Sequence, residues 1–327
     1  MSACNNLSAV SIRLSRNSLE NIPGSRNSNQ NTEARTLSRI LILLSLILNP
    51  IELRIIGWVK FFPNRIFNGK VGTVTISKSA TGKYYASILV DDGTPVPDKF
   101  PIDPDTAVGI DVGIKDFAVL SNGSVFQNPK HLENAEKRLR CLQRRLARKQ
   151  KTSNRRRKAK HDLAVCNERI RNRRQDFLHK VSKMIVSENQ TIIIEDLNVD
   201  GMLKNHCLAK SIASASWSEF FRMLQYKSEW RGVNLIRIGR FEPSSKMCEC
   251  GYIHRDLKLS DRLWTCPECG AVNDRDLLAA RNIKKFGLEK QNLLTQDNIN
   301  KSPVVNRAGD VELSTLAGAV KRQIISV

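Results

Sequence analysis

The sequence lacks an apolar run long enough to cross a membrane. The longest run is the nine-residue stretch from Ile40 to Leu48, whereas a membrane-spanning helix needs about 20 apolar residues. This run also begins too late for an ordinary signal peptide, and no small-residue cleavage site follows it. We therefore expect an intracellular, cytoplasmic protein with no membrane partner.

Acidic residues are scarce relative to basic ones. The 327 residues include 53 Lys or Arg against 32 Asp or Glu, which gives a formal net charge of +21 and a sequence pI near 9.9. So strong an excess of basic residues favours an anionic partner, either nucleic acid or an acidic membrane surface. Hydrophobic residues make up 41% of the chain, which excludes a collagen-like or wholly disordered protein. The length predicts about two domains.

Most of the excess charge lies between residues 137 and 174, where 17 Lys or Arg face only two acids, Asp162 and Glu168. Helical spacing of apolar residues predicts helices over 132–149 and 159–186. A solvated helix usually mixes charges of both signs. The like charges on these two helices repel one another, which indicates contact with a phosphate backbone rather than a merely solvated face. Phosphate contacts do not distinguish DNA from RNA. The candidate nucleic-acid-binding residues are Arg144, Arg145, Arg148, Lys149, Lys151, Arg155, Arg156, Arg157, Lys158, Lys160, Arg171, Arg173 and Arg174.

Half of the eight cysteines lie within residues 248–269. They are Cys248, Cys250, Cys266 and Cys269, in the order C-x-C and then C-x-x-C. A tight cluster in a cytosolic chain favours a metal over disulfides, and four thiolates predict a structural Zn²⁺ with no open position for water. His254 is an alternative to one thiolate, and a loop of free thiols is the plainer interpretation.

Three acids stand at the edges of apolar elements: Asp111 in a predicted strand, Glu195 after a buried strand, and Asp276 at the start of a helix. Each alone has a plain explanation as an exposed or capping residue. If the three converge, their repulsion requires a cation, and two Mg²⁺ ions held by carboxylates are the standard apparatus for phosphodiester cleavage. Oxygen ligands favour Mg²⁺ or Mn²⁺ at this site.

Three segments together resemble the TnpB/OrfB family of insertion-sequence transposases, which are related to the type V CRISPR nucleases. They are GIDVGIKDFAVLSNG (109–123), IIIEDLNVDGM (192–202) and the cysteine-containing segment 248–283. The resemblance runs from Gly57 to Leu288 and implies a RuvC-like, RNase H-type nuclease. Asp111, Glu195 and Asp276 match the catalytic acids, and Asp274 is the weaker candidate for the last. The resemblance further implies Mg²⁺-dependent DNA cleavage, a guide RNA from the element end, and a nucleoid-associated place in a bacterial cytoplasm.

The predicted fold is therefore α/β, an RNase H-like mixed sheet with a helical insertion, a zinc ribbon and a partial β-barrel. The predicted segments are a disordered leader (1–54), the partial barrel (55–105), the nuclease domain (106–242) with its basic helical insertion (131–186), the zinc ribbon (243–272), the last nuclease segment (273–288) and a flexible tail (289–327).

The sequence departs from the family at its first 54 residues, at the shortened first cysteine pair and at Leu278. The first departure predicts an N-terminally truncated copy. A rival interpretation follows from it, namely a decayed transposon protein that binds DNA or RNA without cutting. A ribosome-associated basic protein would explain the charge and the zinc but not the three acids.

Overall fold

The computed structural model describes the backbone of residues 5–14, 51–53, 57–59, 61–62, 69–258 and 261–300, and the side chains of 69–258 and 261–291. The chain forms two compact units. Among the described residues, one unit contains those up to Val96 together with Leu142–Glu168, and the other contains Pro97–Cys141 and those from Arg169 to Asn300.

The first unit contains a four-stranded antiparallel sheet. Its strands are β1 (Asn5–Leu14), β4 (Phe61–Phe62), β5 (Lys70–Lys78) and β6 (Tyr84–Pro95), in the order β4-β1-β6-β5, and the short strands β2 (Ile51–Leu53) and β3 (Gly57–Val59) pair separately. The sequence predicts a hairpin here, from two β-branched runs on either side of a Thr81-Gly82 turn, and it is confirmed as β5 and β6. A partial β-barrel over residues 55–105 stays a prediction.

The prediction of a disordered leader is wrong for residues 5–14, which form β1 and pair along most of β6. Val10, Ile12 and Leu14 alternate with Ser11 and Arg13, and this period of two is typical of a strand. The Ser- and Asn-rich composition of the surrounding residues concealed the alternation. The rest of the predicted leader, except Ile51–Leu53, lies outside the described residues.

The basic helical segment forms α1 (His131–Ala147) and α2 (Asn154–Glu188). Within the first unit, Glu168 of α2 accepts hydrogen bonds from Lys83 Nζ at 2.9 Å, Thr81 Oγ1 at 3.3 Å and the Tyr85 hydroxyl at 3.4 Å. Glu168 is buried, and three donors satisfy its carboxylate. The part of α2 that belongs to the first unit is thereby fixed to the β5–β6 hairpin.

The second unit is built on a five-stranded mixed sheet. Its strands are β7 (Ala107–Val112), β8 (Asp116–Leu120), β9 (Val125–Gln127), β10 (Thr191–Glu195) and β11 (Asn234–Ile238), in the order β11-β10-β7-β8-β9. The first three run antiparallel in succession, whereas β10 is parallel to both β7 and β11. The sequence predicts a hairpin from residues 107–113 and 117–120 and a buried strand from the TIII run at 191–194. Both are confirmed.

The remaining elements of this unit are α3 (Val199–Met202), α4 (Ala209–Ala215), α5 (Trp217–Arg231), the small antiparallel pair β12 (Leu263–Thr265) and β13 (Val272–Asp274), and α6 (Arg275–Asn300). In the sequence, Ser216 followed three residues later by Glu219 predicts a capping box at the start of a helix. This prediction is wrong. Ser216 has a left-handed backbone and makes no capping hydrogen bond with its side chain, and Glu219 instead pairs with Arg222.

In the sequence, Gly287 indicates the end of a short helix that begins at Leu277. This prediction is wrong, because α6 continues to Asn300. Gly287 serves close packing instead, since a Cβ there would overlap the side chain of Ile193. Residues 289–300 are therefore helical rather than a flexible tail, and the rest of the predicted tail lies outside the described residues.

No helix in the described part of the chain has both the length and the apolar character needed to cross a membrane.

Candidate carboxylate and metal sites

Asp111 faces the same side of the sheet as Gly109, because alternate residues of a strand point to the same face. Helix α6 packs on this face so closely that a Cβ at Gly109 would overlap the backbone of Ala280 and Lys284. Glycine is therefore required two residues before Asp111, and the carboxylate of Asp111 lies on the α6 side of the sheet.

Glu195 reaches the same face from the neighbouring strand. Strand β10 pairs in parallel with β7, with Ile193 opposite Gly109 and Ile194 opposite Ile110. Continued by one residue, this register would bring Glu195 beside Asp111. Glu195 also lies on the same face as Ile193, which packs against α6. The two acids thus extend from adjacent strands beyond a buried apolar stretch.

Asp276 lies in the first turn of α6, one turn before Ala280. Residues four apart share a face of a helix, so Asp276 lies on the side that packs against β7. Asp274 has a different role, because its Oδ1 accepts hydrogen bonds from the backbone N–H groups of Asp276 and Leu277, both at 3.0 Å. It is the N-cap of α6.

The three carboxylates interact electrostatically. Burial, followed by the negative charges of Glu195 and Asp276, raises the pKa of Asp111 from 3.8 to about 8. Burial also raises the pKa of Glu195, and a hydrogen bond from Ser244 opposes that rise. Neighbouring acids whose charges repel one another are stabilised by a bound cation, and an all-oxygen donor set suits Mg²⁺ or Mn²⁺.

Ser244 and Asn282 position Glu195, and the sequence did not indicate either residue. The Ser244 hydroxyl donates to Oε1 of Glu195 at 2.5 Å. The buried amide of Asn282, on α6, donates to the carbonyl oxygens of Ser244 at 2.7 Å and Met247 at 2.6 Å. Helix α6 therefore fixes the loop from which Ser244 contacts Glu195.

Arg262 contacts the third acid. Its Nη1 donates to both carboxylate oxygens of Asp276 at 2.9 Å. Within residues 69–258 and 261–291, the cysteine cluster is the one group of three or more His, Cys, Asp or Glu side chains placed to hold an ion. The charges of the three carboxylates therefore influence one another, but their oxygen atoms do not form a group placed to hold an ion. Their convergence on an ion stays a prediction.

The four predicted cysteine ligands lie together, with all their Sγ atoms within 4.8 Å of one another. The Sγ atoms of Cys248 and Cys269 are 3.7 Å apart, and those of Cys250 and Cys266 are 3.6 Å apart. Four thiolates bound tetrahedrally at about 2.3 Å from one Zn²⁺ would be separated by about 3.8 Å. The cluster therefore fits a Zn²⁺ ion with little rearrangement.

The shortened first pair closes because Gly251 adopts a left-handed backbone with φ of 98°, as Gly270 does after the second pair with φ of 72°. Burial alone would raise the pKa of the Cys248 thiol, but hydrogen bonds from the Cys250 backbone and the Asn273 amide lower it to about 7. His254 is not part of the cluster, and its ring packs edge-on against Trp264 with centroids 5.4 Å apart.

Ten of the thirteen predicted nucleic-acid-binding residues are exposed, the exceptions being Lys149, Arg156 and Arg174. Arg156 has an internal role, because its Nη1 donates to the carbonyl oxygens of Leu146 at 2.9 Å and Lys149 at 3.0 Å. It therefore stabilises the C-terminal end of α1. Arg174 Nη1 donates to the carbonyl oxygen of Ala213 at 3.3 Å. The exposed members leave a basic surface along α1 and α2.

Comparison with known families gives two adjacent matches. Residues 90–206 match the OrfB_IS605 model, described as "Probable transposase", and residues 217–283 match the Cas12f1-like TNB domain. Over these residues the chain is a TnpB/OrfB relative. The two matches contain all three carboxylates and all four clustered cysteines.

Curated TnpB/OrfB relatives show the same similarity. A protein of Streptomyces pristinaespiralis named "Putative RNA-guided DNA endonuclease" is 47% identical over 218 residues, which cover 66% of this chain and 53% of that protein. The InsQ protein of Escherichia coli K12, with the same description, is 33% identical over 248 residues, covering 71% of this chain and 60% of InsQ. The chain thus spans little more than half the length of these relatives.

Comparison with solved structures matches part of the chain to a Cas12f1 complex with guide RNA and target DNA. The matched protein is 17% identical with a TM-score of 0.49, and the match covers 66% of this chain and 45% of that one. The mini-RNA-guided endonuclease Cas_phi3 is 11% identical with a TM-score of 0.42, covering 71% of this chain and 56% of that one.

Proposed function

We propose that this chain is a TnpB-type DNA endonuclease that cleaves phosphodiester bonds with Mg²⁺ held by Asp111, Glu195 and Asp276. One observation carries the proposal: two adjacent parallel strands and the first turn of a helix bring three carboxylates to the same face of one sheet. Their mutual repulsion is the second support, because it destabilises the cluster unless a cation is bound.

An RNase H-like, RuvC-type fold is part of the proposal. The support is the arrangement of the sheet, in which an antiparallel run of three strands is extended beyond β7 by two strands parallel to it. The acids lie at the carboxyl ends of β7 and β10, the edge at which open α/β sheets commonly bind ligands.

The metal and the residues around the three carboxylates would have separate roles in cleavage. Bound Mg²⁺ would neutralise the carboxylates, activate water and stabilise the leaving oxygen of the DNA backbone. Ser244 orients the Glu195 carboxylate, and Asn282 holds Ser244 in place. Arg262, which pairs with Asp276, would place a positive charge beside the third carboxylate, where it could attract the DNA backbone.

We propose DNA and a guide RNA as partners of the basic helices α1 and α2. The support is the exposed excess of Lys and Arg on these helices and the description of the curated relatives as RNA-guided DNA endonucleases. We propose a structural Zn²⁺ for the cysteine cluster, because four thiolate ligands leave no position for a catalytic water.

A second candidate function is nucleic-acid binding without cleavage. The observation that favours it is the ion pair of Arg262 with both carboxylate oxygens of Asp276. This pair balances the charge of Asp276 without a metal. If the pair persists in the presence of Mg²⁺ and no ion contacts Asp276, this acid does not contribute to a metal site, and the chain would bind DNA or RNA only.

The experiment that separates the two functions is a cleavage assay with the full chain, Mg²⁺, RNA transcribed from the element end and a library of matched duplexes. We expect cleavage that depends on Mg²⁺ and RNA and that Asp111→Ala abolishes while DNA binding is retained. Equal binding by both proteins without any cleavage by the wild type would support the binding function instead.

A further inference from the structure

Phe241 is the most exposed large hydrophobic residue among those the structure describes, at 97% of its full accessible area. Single exposed apolar residues are ordinary on protein surfaces, so exposure alone indicates no function. The position of Phe241 is what distinguishes it. The residue lies on the loop that follows β11, at the edge of the sheet where Glu195 stands.

Both ends of this loop are fixed next to Glu195. At the start, Ile238 is the strand partner of Glu195, and its carbonyl oxygen accepts a hydrogen bond from the Asp196 backbone at 3.2 Å. At the end, the Ser244 hydroxyl contacts the Glu195 carboxylate. Phe241 is three residues from each of these anchors, which limits its backbone to within about 10 Å of either one.

Internal hydrogen bonds hold the loop in its conformation. The Arg240 guanidinium donates to the backbone oxygen of Asp196 at 2.9 Å and to its carboxylate at 3.0 and 3.1 Å. On the other side of Phe241, the Ser244 N–H donates to the Glu242 carbonyl at 2.8 Å. The ring is therefore presented to solvent by anchored neighbours on both sides.

Two arginines lie close to Phe241 in the chain, Arg240 immediately before it and Arg237 on β11. Arg240 and Arg237 share the single carboxylate of Asp196, so one of the two positive charges is left over, and both side chains are about half exposed. An aromatic ring flanked by cations is the combination with which proteins bind single-stranded nucleic acid, since the bases stack on the ring while the cations attract the backbone.

We propose that Phe241 is a stacking platform for a base of the single-stranded DNA that enters the carboxylate site. The inference rests on the proposed function, which supplies DNA as the substrate. Because every base has an aromatic face, stacking here would hold the strand without selecting a sequence. Phe241 would fix the position of the strand relative to Glu195 and the scissile bond.

The test uses the full chain, EDTA to prevent cleavage, and a single-stranded DNA containing 2-aminopurine, whose fluorescence reports stacking. We expect Phe241→Ala to lower the affinity about 5- to 150-fold and to remove the fluorescence change. Phe241→Trp should retain both, whereas Phe241→Leu, which is apolar without a stacking face, should behave like the Ala variant.

Phe100 provides a matched control. It is 41% exposed and lies at the opposite end of β11, where its backbone N–H donates to the Gly232 carbonyl at 2.9 Å and its carbonyl accepts from Asn234 at 2.7 Å. Phe100→Ala should leave DNA affinity unchanged. The loss in Phe241→Ala should also be the same at low and high salt, because stacking releases no counterions.

Several results would overturn the proposal. They are unchanged DNA affinity in Phe241→Ala, wild-type binding by Phe241→Leu, a larger loss for RNA of the same sequence than for DNA, and a change in oligomeric state that identifies the ring as a protein contact. A wild type that binds no single-stranded DNA would also overturn it. Mg²⁺-dependent cleavage by the wild type is measured separately, so the proposed function can stand where the stacking role fails.

Discussion

The hydroxyl of Ser244 donates a 2.5 Å hydrogen bond to Oε1 of Glu195, although the two residues are 49 positions apart in the chain. The same loop is held to α6 by Asn282, the helix that also carries Asp276. The loop that contains Ser244 therefore connects the orientation of Glu195 to the position of α6, the helix that carries Asp276.

Removal of this hydrogen bond should impair cleavage without impairing DNA binding. We expect Ser244→Ala to reduce the cleavage rate about 10- to 100-fold, the usual effect of losing a group that orients a metal ligand, and Ser244→Thr to retain activity. The bond lowers the pKa of Glu195, so its loss should also move the acidic limb of the pH–rate profile to higher pH. A rate loss with an unmoved profile would indicate a merely structural role.

Asp111 should make the stability of the metal-free protein depend on pH. An acid whose pKa is raised from 3.8 to about 8 in the folded state holds its proton more tightly when folded. Its contribution to stability is therefore complete below about pH 4 and is lost as the pH rises through 8. In thermal unfolding with EDTA, Asp111→Asn should be more stable than the wild type at pH 8 and lack this contribution to the pH dependence.

Addition of Mg²⁺ provides the control for that experiment. At pH 8 the ion should raise the Tm of the wild type, because a ligand that binds only the folded state stabilises it. It should leave Asp111→Asn nearly unchanged. Equal stabilisation of both proteins by Mg²⁺ would place the binding site elsewhere.

The cysteine cluster should bind one Zn²⁺ per chain. Because the four Sγ atoms lie within 4.8 Å of one another and His254 lies outside the group, Cys250→Ser should lose the ion while His254→Ala retains it. The readouts are metal content by mass spectrometry and titration of free thiols. Zinc retained in Cys250→Ser and lost in His254→Ala would instead establish a mixed ligand set.

The basic helices should give DNA binding a steep salt dependence. Arg155→Ala and Arg157→Ala should each reduce the slope of log affinity against log salt by about one unit. Arg156→Ala should lower the Tm and leave the slope unchanged, because Arg156 donates to the end of α1 instead. Three equal reductions in slope would mean that Arg156 also contacts phosphate.

The sequence predicted those elements whose causes are local. The buried β-branched run of β10, the hairpin of β7 and β8 and the cysteine spacing are each visible within a few consecutive residues. The face shared by Asp111 and Glu195 needed the parallel register of two strands about 80 residues apart, which only the resemblance to a known family implied.

The elements that were missed depend on distant partners. Glycine commonly ends a helix, but Gly287 instead allows the side chain of Ile193, on strand β10, to pack closely against α6. Ser244, Arg262 and Asn282 are ordinary polar residues whose importance appears only when their acceptors are known. Nothing in the sequence distinguishes Phe241 from other aromatic residues, and its exposure appears only in the structure.

The central claim is that Asp111, Glu195 and Asp276 together hold divalent cations. The most direct measurement is a crystal structure of the full chain grown with Mn²⁺, in which anomalous scattering locates the ions. We predict Mn²⁺ in contact with all three carboxylates, with Asp276 shared between the metal and Arg262 or released from it. An Asp276 still paired only with Arg262, with no anomalous peak beside Asp111 and Glu195, would contradict the account.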